Sequence, residues 1–102
     1  MGARYVLAPQ AVLDLFEIWY YIKEHASVTI ANQVESVIRD RMAFLAGSPG
    51  AGHHRKDLTD QDVKFFPVYS YLVAYRPNTK PLQIAAILHG RRDLEQILKG
   101  RL

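Results

Sequence analysis

Two basic clusters hold most of the side chains that could do chemistry: His53-His54-Arg55-Lys56 and His89-Gly90-Arg91-Arg92-Asp93. In the first, adjacent histidines could ligate a metal or touch a phosphate. Neighbours in an extended segment point apart, however, and no carboxylate lies at HExxH-like spacing, so two histidines facing water are expected. In the second, a His and two Arg at the end of a strand-like run could grip a phosphate. The competing reading is structural, with Asp93 capping a helix and the arginines solvated or paired with Asp or Glu. His25 sits where a helix C-terminus would favour it.

Nuclease chemistry would need a general base and an acid straddling the scissile phosphate. Lys64, Arg76 and His89 could supply charge and one proton, but the three strand-like runs of the second half contain no Asp or Glu. A Ser-His-Asp arrangement and a phosphate-binding loop have no support in the sequence. Cysteine is absent, which excludes a disulfide framework, thiolate zinc and a Cys nucleophile. No metal and no cofactor is expected, and catalysis is permitted without being signalled.

The elements that must position these residues follow from periodicity. Arg4 to Ala8 is a short β-like run, and Pro9 suits the first turn of a helix running to about His25. In that helix Ala11, Val12, Leu15, Ile18, Trp19 and Ile22 form one stripe, with Asp14, Glu17 and Glu24 off it. Leu13, Phe16 and Tyr20 fall on another side, so the helix carries more apolar surface than one core contact requires. Either Leu94, Ile97 and Leu98 or a second chain must cover them, or they form a docking patch.

Ser27 or Thr29 caps a second helix, with Ile30, Val34, Val37, Ile38, Met42 and Leu45 at helical spacing and Gly47 and Pro49 as its stop. The short link predicts an antiparallel helical hairpin. Ser48 to Asp62 reads as an exposed loop. Three strands of an antiparallel meander follow, at Val63 to Val68, Tyr69 to Arg76 and Leu82 to Leu88. Alternation in the last strand places Leu82, Ile84, Ala86 and Leu88 opposite Gln83, Ala85, Ile87 and His89. Asp93 then caps a short helix through Leu98, with Gln96 completing a capping box.

At 102 residues, 49% hydrophobic and 23% charged, the chain reads as one soluble α+β domain over residues 1–102, far from disorder or a membrane span. No N-terminal apolar run suggests a signal peptide, which makes the cytoplasm the expected address. The formal charge of +3 is unevenly spread. Residues 1–54 carry four basic against five acidic side chains, and residues 55–102 carry nine against five. The positive half would favour an acidic partner or a nucleic acid.

Three stretches together resemble the ParE branch of the RelE/ParE toxin superfamily. They are AVLDLFEIWYYI, with Ala11, Asp14, Leu15, Ile18 and Tyr21; FLAGSPGAGHHRKDL, with Leu45, Pro49, Gly52 and Leu58 in an L-x-x-x-P-x-x-G pattern; and VKFFPVYSYLVAYR followed by LQIAAILHGRRDLEQIL. The ending HGRRD-x-x-x-IL is the most specific of these. The resemblance spans Arg4 to Leu98 and implies one strand, a helical hairpin, then a three-stranded antiparallel meander with a short C-terminal helix.

It further implies the toxin of a type II toxin–antitoxin module, inhibiting DNA gyrase by protein binding and silenced by a ParD-like antitoxin, with a homodimer or a toxin–antitoxin hetero-oligomer as the assembly. The alternatives are a RelE-like ribosome-dependent mRNA endonuclease and a non-toxic diverged member of the fold. The chain departs from the RelE pattern in lacking a Tyr after the last strand and a dense Lys/Arg set across the sheet, and it has Lys64 where many ParE sequences show Arg. The expected target-binding set is His89, Arg91, Arg92, Arg76 and Lys64, and the expected antitoxin-binding set is Leu13, Phe16 and Tyr20. Direct nucleic-acid binding and membrane association are not expected.

Overall fold

The computed structural model describes residues 4–102. Strand β1 (Tyr5–Leu7) leads directly into helix α1 (Pro9–His25), where Pro9 occupies the first turn and needs no N–H partner. Helix α2 (Val28–Gly47) starts at Ser27, whose side-chain oxygen accepts the Ile30 N–H at 3.1 Å. Ser27, rather than Thr29, is therefore the cap. The two helices form the expected hairpin, tied near its turn by the Trp19 indole N–H donating to Asn32 Oδ1 at 2.8 Å.

Two positions of the expected stripes face solvent. Val12 is 49% exposed, because it lies about 90° around the helix from the line through Ala11, Leu15 and Ile18. Ile30 is 46% exposed, and Ala31 is fully buried in its place. Seven residues from Ile38 bring Ala31 within about 20° of it, whereas Ile30 is about 80° away.

The second half forms β2 (His53–His54), β3 (Lys64–Val68), β4 (Tyr71–Arg76), β5 (Leu82–His89) and helix α3 (Leu94–Arg101). The meander β3-β4-β5 is antiparallel as expected, and the chain makes a five-stranded mixed sheet in the order β1-β5-β4-β3-β2. β1 joins β5 in parallel, and β2 pairs antiparallel with the start of β3. The second pairing corrects the expectation of a plain loop over Ser48 to Asp62. Tyr69 and Ser70 form the β3–β4 turn instead of starting a strand, with Tyr69 in the left-handed region at φ 55°.

The alternation expected along β5 also fails at its middle. Tyr75 pairs with Ile84 but Ala74 with Ala86, so Ala85 is the extra residue of a bulge. The bulge flips the faces. Leu82, Ile84 and Ile87 join Ala11, Leu15, Ile38, Met42, Leu45, Val73 and Tyr75 in the core beneath the hairpin. Ala86 and Leu88 face the opposite core, with Val63, Phe65, Ala74, Leu94 and Leu98. The sheet thus lies between the hairpin on one face and α3 on the other. Asp93 caps α3 by accepting the Gln96 N–H at 3.4 Å, so only this half of the expected capping box is among the described hydrogen bonds.

β1 covers only the first part of β5, ending where the Ala8 N–H donates to the Ile84 carbonyl at 2.9 Å. Beyond it, side chains take the place of a neighbouring strand. Asp14 Oδ2 accepts the Ile87 N–H at 3.0 Å, and Arg101 Nη2 donates to the Ala85 carbonyl at 3.3 Å. The same two side chains form a bidentate pair, at 3.2 Å and 2.6 Å, with side-chain exposures of only 12% and 13%. Asp14 sits on α1 and Arg101 on α3, so the pair ties the two helical layers together around the sheet edge.

Toward the opposite edge of the sheet, still on the hairpin face, the buried Tyr75 hydroxyl donates to the Pro49 carbonyl at 2.7 Å and accepts the Gly52 N–H at 2.9 Å. Burial pushes this phenol up, keeping it a donor. The contact explains the L-x-x-x-P-x-x-G spacing: Leu45 anchors the last turn of α2 in the core, Pro49 and Gly52 hold Tyr75, and Leu58 packs on the second core. A Cβ at Gly52 would lie 2.5 Å from the Tyr75 hydroxyl and 2.9 Å from the Phe65 carbonyl. Gly52→Ala is therefore expected to cost about 2 kcal/mol, read in a thermal melt as a Tm lower by roughly 10 °C. Gly50→Ala, which meets open space, is the control that leaves Tm in place. Equal Tm values for the two variants would contradict the clamp.

Candidate functional site

The C-terminal end of β5 presents the HGRRD segment as a tight turn. The Arg92 N–H donates to the His89 carbonyl at 3.1 Å, and the Gly90 N–H donates to the Ser70 carbonyl at 2.8 Å, which anchors the turn to the β3–β4 turn beside it. The Arg91 N–H donates to His89 Nδ1 at 3.1 Å. The His89 ring stands edge-on to Tyr71, with centroids 5.5 Å apart and planes at 86°. Arg91 and Arg92 are exposed, and among the described residues neither guanidinium has a hydrogen-bond or ion-pair partner. Of the two arrangements the structural reading allowed, the arginines are solvated and not paired with Asp or Glu, and Asp93 caps the helix as expected.

Between this turn and α1 lies an open cleft of about 370 Å³. Ile18 and Ile87 give it apolar walls, and Tyr21, Tyr71, His89 and Arg92 bring polar groups to it. Burial, and secondarily the neighbouring Tyr21, pushes the Tyr71 phenol up, so Tyr71 stays protonated. Asp14 also borders the cleft, but both its oxygens are engaged by Arg101, and one of them also by the Ile87 N–H.

The five residues expected to face a target do not form one cluster. His89 pairs with Tyr71 at one end of β4, while Arg76 ends that strand and Lys64 pairs with Tyr75. Five residues of strand separate the two ends, about 17 Å. At the far end Arg76 Nη1 donates to Gln61 Oε1 at 3.4 Å. Lys64 borders a shallow cleft with His54, Asp62 and Asn78. His54 Nε2 lies 2.9 Å from Asp62 Oδ1, an exposed pair that holds the Asp62 carboxyl below its ordinary range. His53 and His54 are both exposed, as expected, although they belong to a strand. Among the described residues no group of three or more His, Asp or Glu is arranged to hold a metal.

The second candidate surface is on α1. Leu13 and Phe16 are each 58% exposed and Tyr20 46%. Burial beneath Leu94, Ile97 and Leu98 is ruled out, because α3 lies on the opposite face of the sheet. Phe16 contacts both Trp19 and Tyr20, and Lys23 Nζ lies 4.9 Å from the Tyr20 ring centroid. A shallow depression lined by Phe16, Glu17, Tyr20 and Tyr21 shares Glu17 and Tyr21 with the cleft beside His89, so the two surfaces are continuous.

A model of the family described as the ParE toxin of the type II toxin–antitoxin system, parDE, matches residues 5–94. The chain belongs to the ParE toxin family. Its fold also matches a chain from the solved chromosomal ParDE toxin–antitoxin system of P. aeruginosa, with a TM-score of 0.73 and 17% identity, over 85% of this chain and 95% of that one. No curated protein sequence matches it. The ParE match takes in Asp14, the Tyr75 clamp and the whole HGRRD turn, and stops before Arg101. Among the described residues no helix is long and apolar enough to cross a membrane.

Sequence reasoning missed three members of this region. Tyr21 enters the sequence reading only through the family pattern and Tyr71 only as part of a strand-like run, and neither placement shows that both line the α1–β5 cleft. Asp14 lies off the apolar stripe and enters the family pattern, and neither placement assigns it a partner. The signal that could have singled it out was a carboxylate about 65° from the core-facing line through Ala11, Leu15 and Ile18, at the margin of the core, where a charge needs a partner.

Proposed function

We propose that this ParE-family toxin acts by binding a protein, DNA gyrase first among the candidates, and that a ParD-like antitoxin silences it. The observation that carries this reading is the ParE family match across residues 5–94, which includes the exposed Arg91 and Arg92 on a turn held to the sheet. The geometry beside that turn favours recognition over proton transfer. Asp14, the carboxylate most enclosed there, is tied to Arg101, and His89 Nδ1 is occupied by a backbone N–H. Two exposed guanidiniums on a fixed turn suit an acidic or hydrogen-bond-accepting protein surface.

The antitoxin is assigned to the α1 face. Leu13, Phe16 and Tyr20 form an apolar strip on one side of a regular helix, the kind of surface that receives the apolar face of an amphipathic segment. An acidic segment would also be steered by the positive second half of the chain, which accelerates association more than it tightens the complex.

Expression in bacteria, read for both gyrase-linked DNA cleavage and ribosome-bound mRNA cutting, tests the target. DNA damage with intact mRNA is expected, and rapid mRNA cutting with intact DNA would overturn the reading in favour of a RelE-like activity. The antitoxin surface is tested with a ParD-like antitoxin, to be sought in the reading frame adjacent to the one that encodes this chain. Phe16→Ala combined with Tyr20→Ala is expected to weaken binding by at least about tenfold at an unchanged Tm. A folded double variant that binds as tightly as the parent excludes the patch.

A further inference from the structure

We infer that His89 is a positioning residue for Arg91 and Arg92, acting through Nδ1 on the backbone of the turn, and that it does not itself contact the target or move a proton. The inference rests on the reading above that the two arginines face the target. The Arg91 N–H donates to His89 Nδ1 at 3.1 Å, so that nitrogen presents a lone pair and the ring proton sits on Nε2. With the Arg92 N–H on the His89 carbonyl, His89 occupies the first position of a β-turn and its side chain accepts from the residue two places on. This is the arrangement that Asn or Asp side chains provide in Asx turns.

The ring is held in that role from behind. Tyr71 packs edge-on to it, and Tyr71 is the strand partner of His89 in β4. A side chain of this size, wedged between a tyrosine and its own turn, fixes where the chain leaves the sheet. The two guanidiniums project from the residues that this hydrogen bond and the Arg92–His89 bond hold.

The two ring nitrogens can be separated by substitution. Asn puts an acceptor near the place of Nδ1, Gln puts one near the place of Nε2, and both lose the ring, so its packing against Tyr71 cancels between them. Toxicity is read as loss of colony formation at matched soluble toxin, and the turn as hydrogen exchange of the Arg91 amide in the purified full-length chain. His89→Asn is expected to keep Arg91 protection and toxicity. His89→Gln and His89→Ala are expected to speed Arg91 exchange about five- to tenfold, with toxicity falling alongside.

Toxicity retained by His89→Gln and lost by His89→Asn would make Nε2 the working atom and overturn the inference. So would unchanged Arg91 exchange in His89→Ala. Arg91→Ala with Arg92→Ala keeps the two readings apart. A folded, fully toxic double variant overturns the target-facing role of the arginines, and the role of His89 toward the target falls with it, while Arg91 exchange in the His89 series still decides whether Nδ1 holds the turn.

Discussion

The edge of β5 beyond β1 is the constraint on which the rest of this structure depends. β1 is three residues long, and an eight-residue neighbour outruns it. The backbone groups left over at Ala85 and Ile87 are in a buried stretch, where an unmet N–H or carbonyl costs about 1–3 kcal/mol. Asp14 and Arg101 meet both needs with one bidentate pair. A pair this enclosed repays its desolvation only when its remaining hydrogen-bonding capacity is used, and here the backbone uses it. The carboxylate stands on α1 and the guanidinium on α3, so the contact that finishes the sheet also fixes the two layers against each other.

The two ends of the sheet then take on different characters. At the end where β3 starts and β4 finishes, Tyr75 clamps the Pro49–Gly52 loop, and Arg76, Lys64, His54 and Asp62 are engaged or balanced by opposite charge. At the other end the bulge at Ala85 turns the last part of β5 and the HGRRD turn projects two exposed guanidiniums. The apolar strip of α1 runs alongside and meets the cleft at Tyr21. A ParE-family toxin organised this way offers a cationic tip and an apolar flank on one continuous surface.

Much of this was legible in the sequence where a local rule decides the outcome. Pro9 places the start of α1, Ser27 or Thr29 narrows that of α2 to two positions, Asp93 places α3, and helical periodicity isolates Leu13, Phe16 and Tyr20 as surplus apolar surface. The rest depends on contacts distant in sequence. A bulge changes which face every later residue takes, and nothing in the run Ile84-Ala85-Ala86-Ile87 marks one. β2 consists of two polar histidines in a Gly-rich segment, so it had no β pattern to read. Asp14 and Arg101 are 87 positions apart, and Arg101 lies beyond Leu98, where the expected last helix stops. His89 and the two arginines were recognisable as a motif, but the direction of the Nδ1 hydrogen bond is a property of the folded turn.

The most direct test of the claim that this pair closes the sheet is a double-mutant cycle on Asp14→Ala and Arg101→Ala, measured by denaturant unfolding. Because the two side chains share one edge and one ion pair, the cycle is expected to return a coupling of about 1–3 kcal/mol, with the double variant losing less than the two single variants together. Losses that add within about 0.5 kcal/mol would show the two residues acting independently, and would contradict the account.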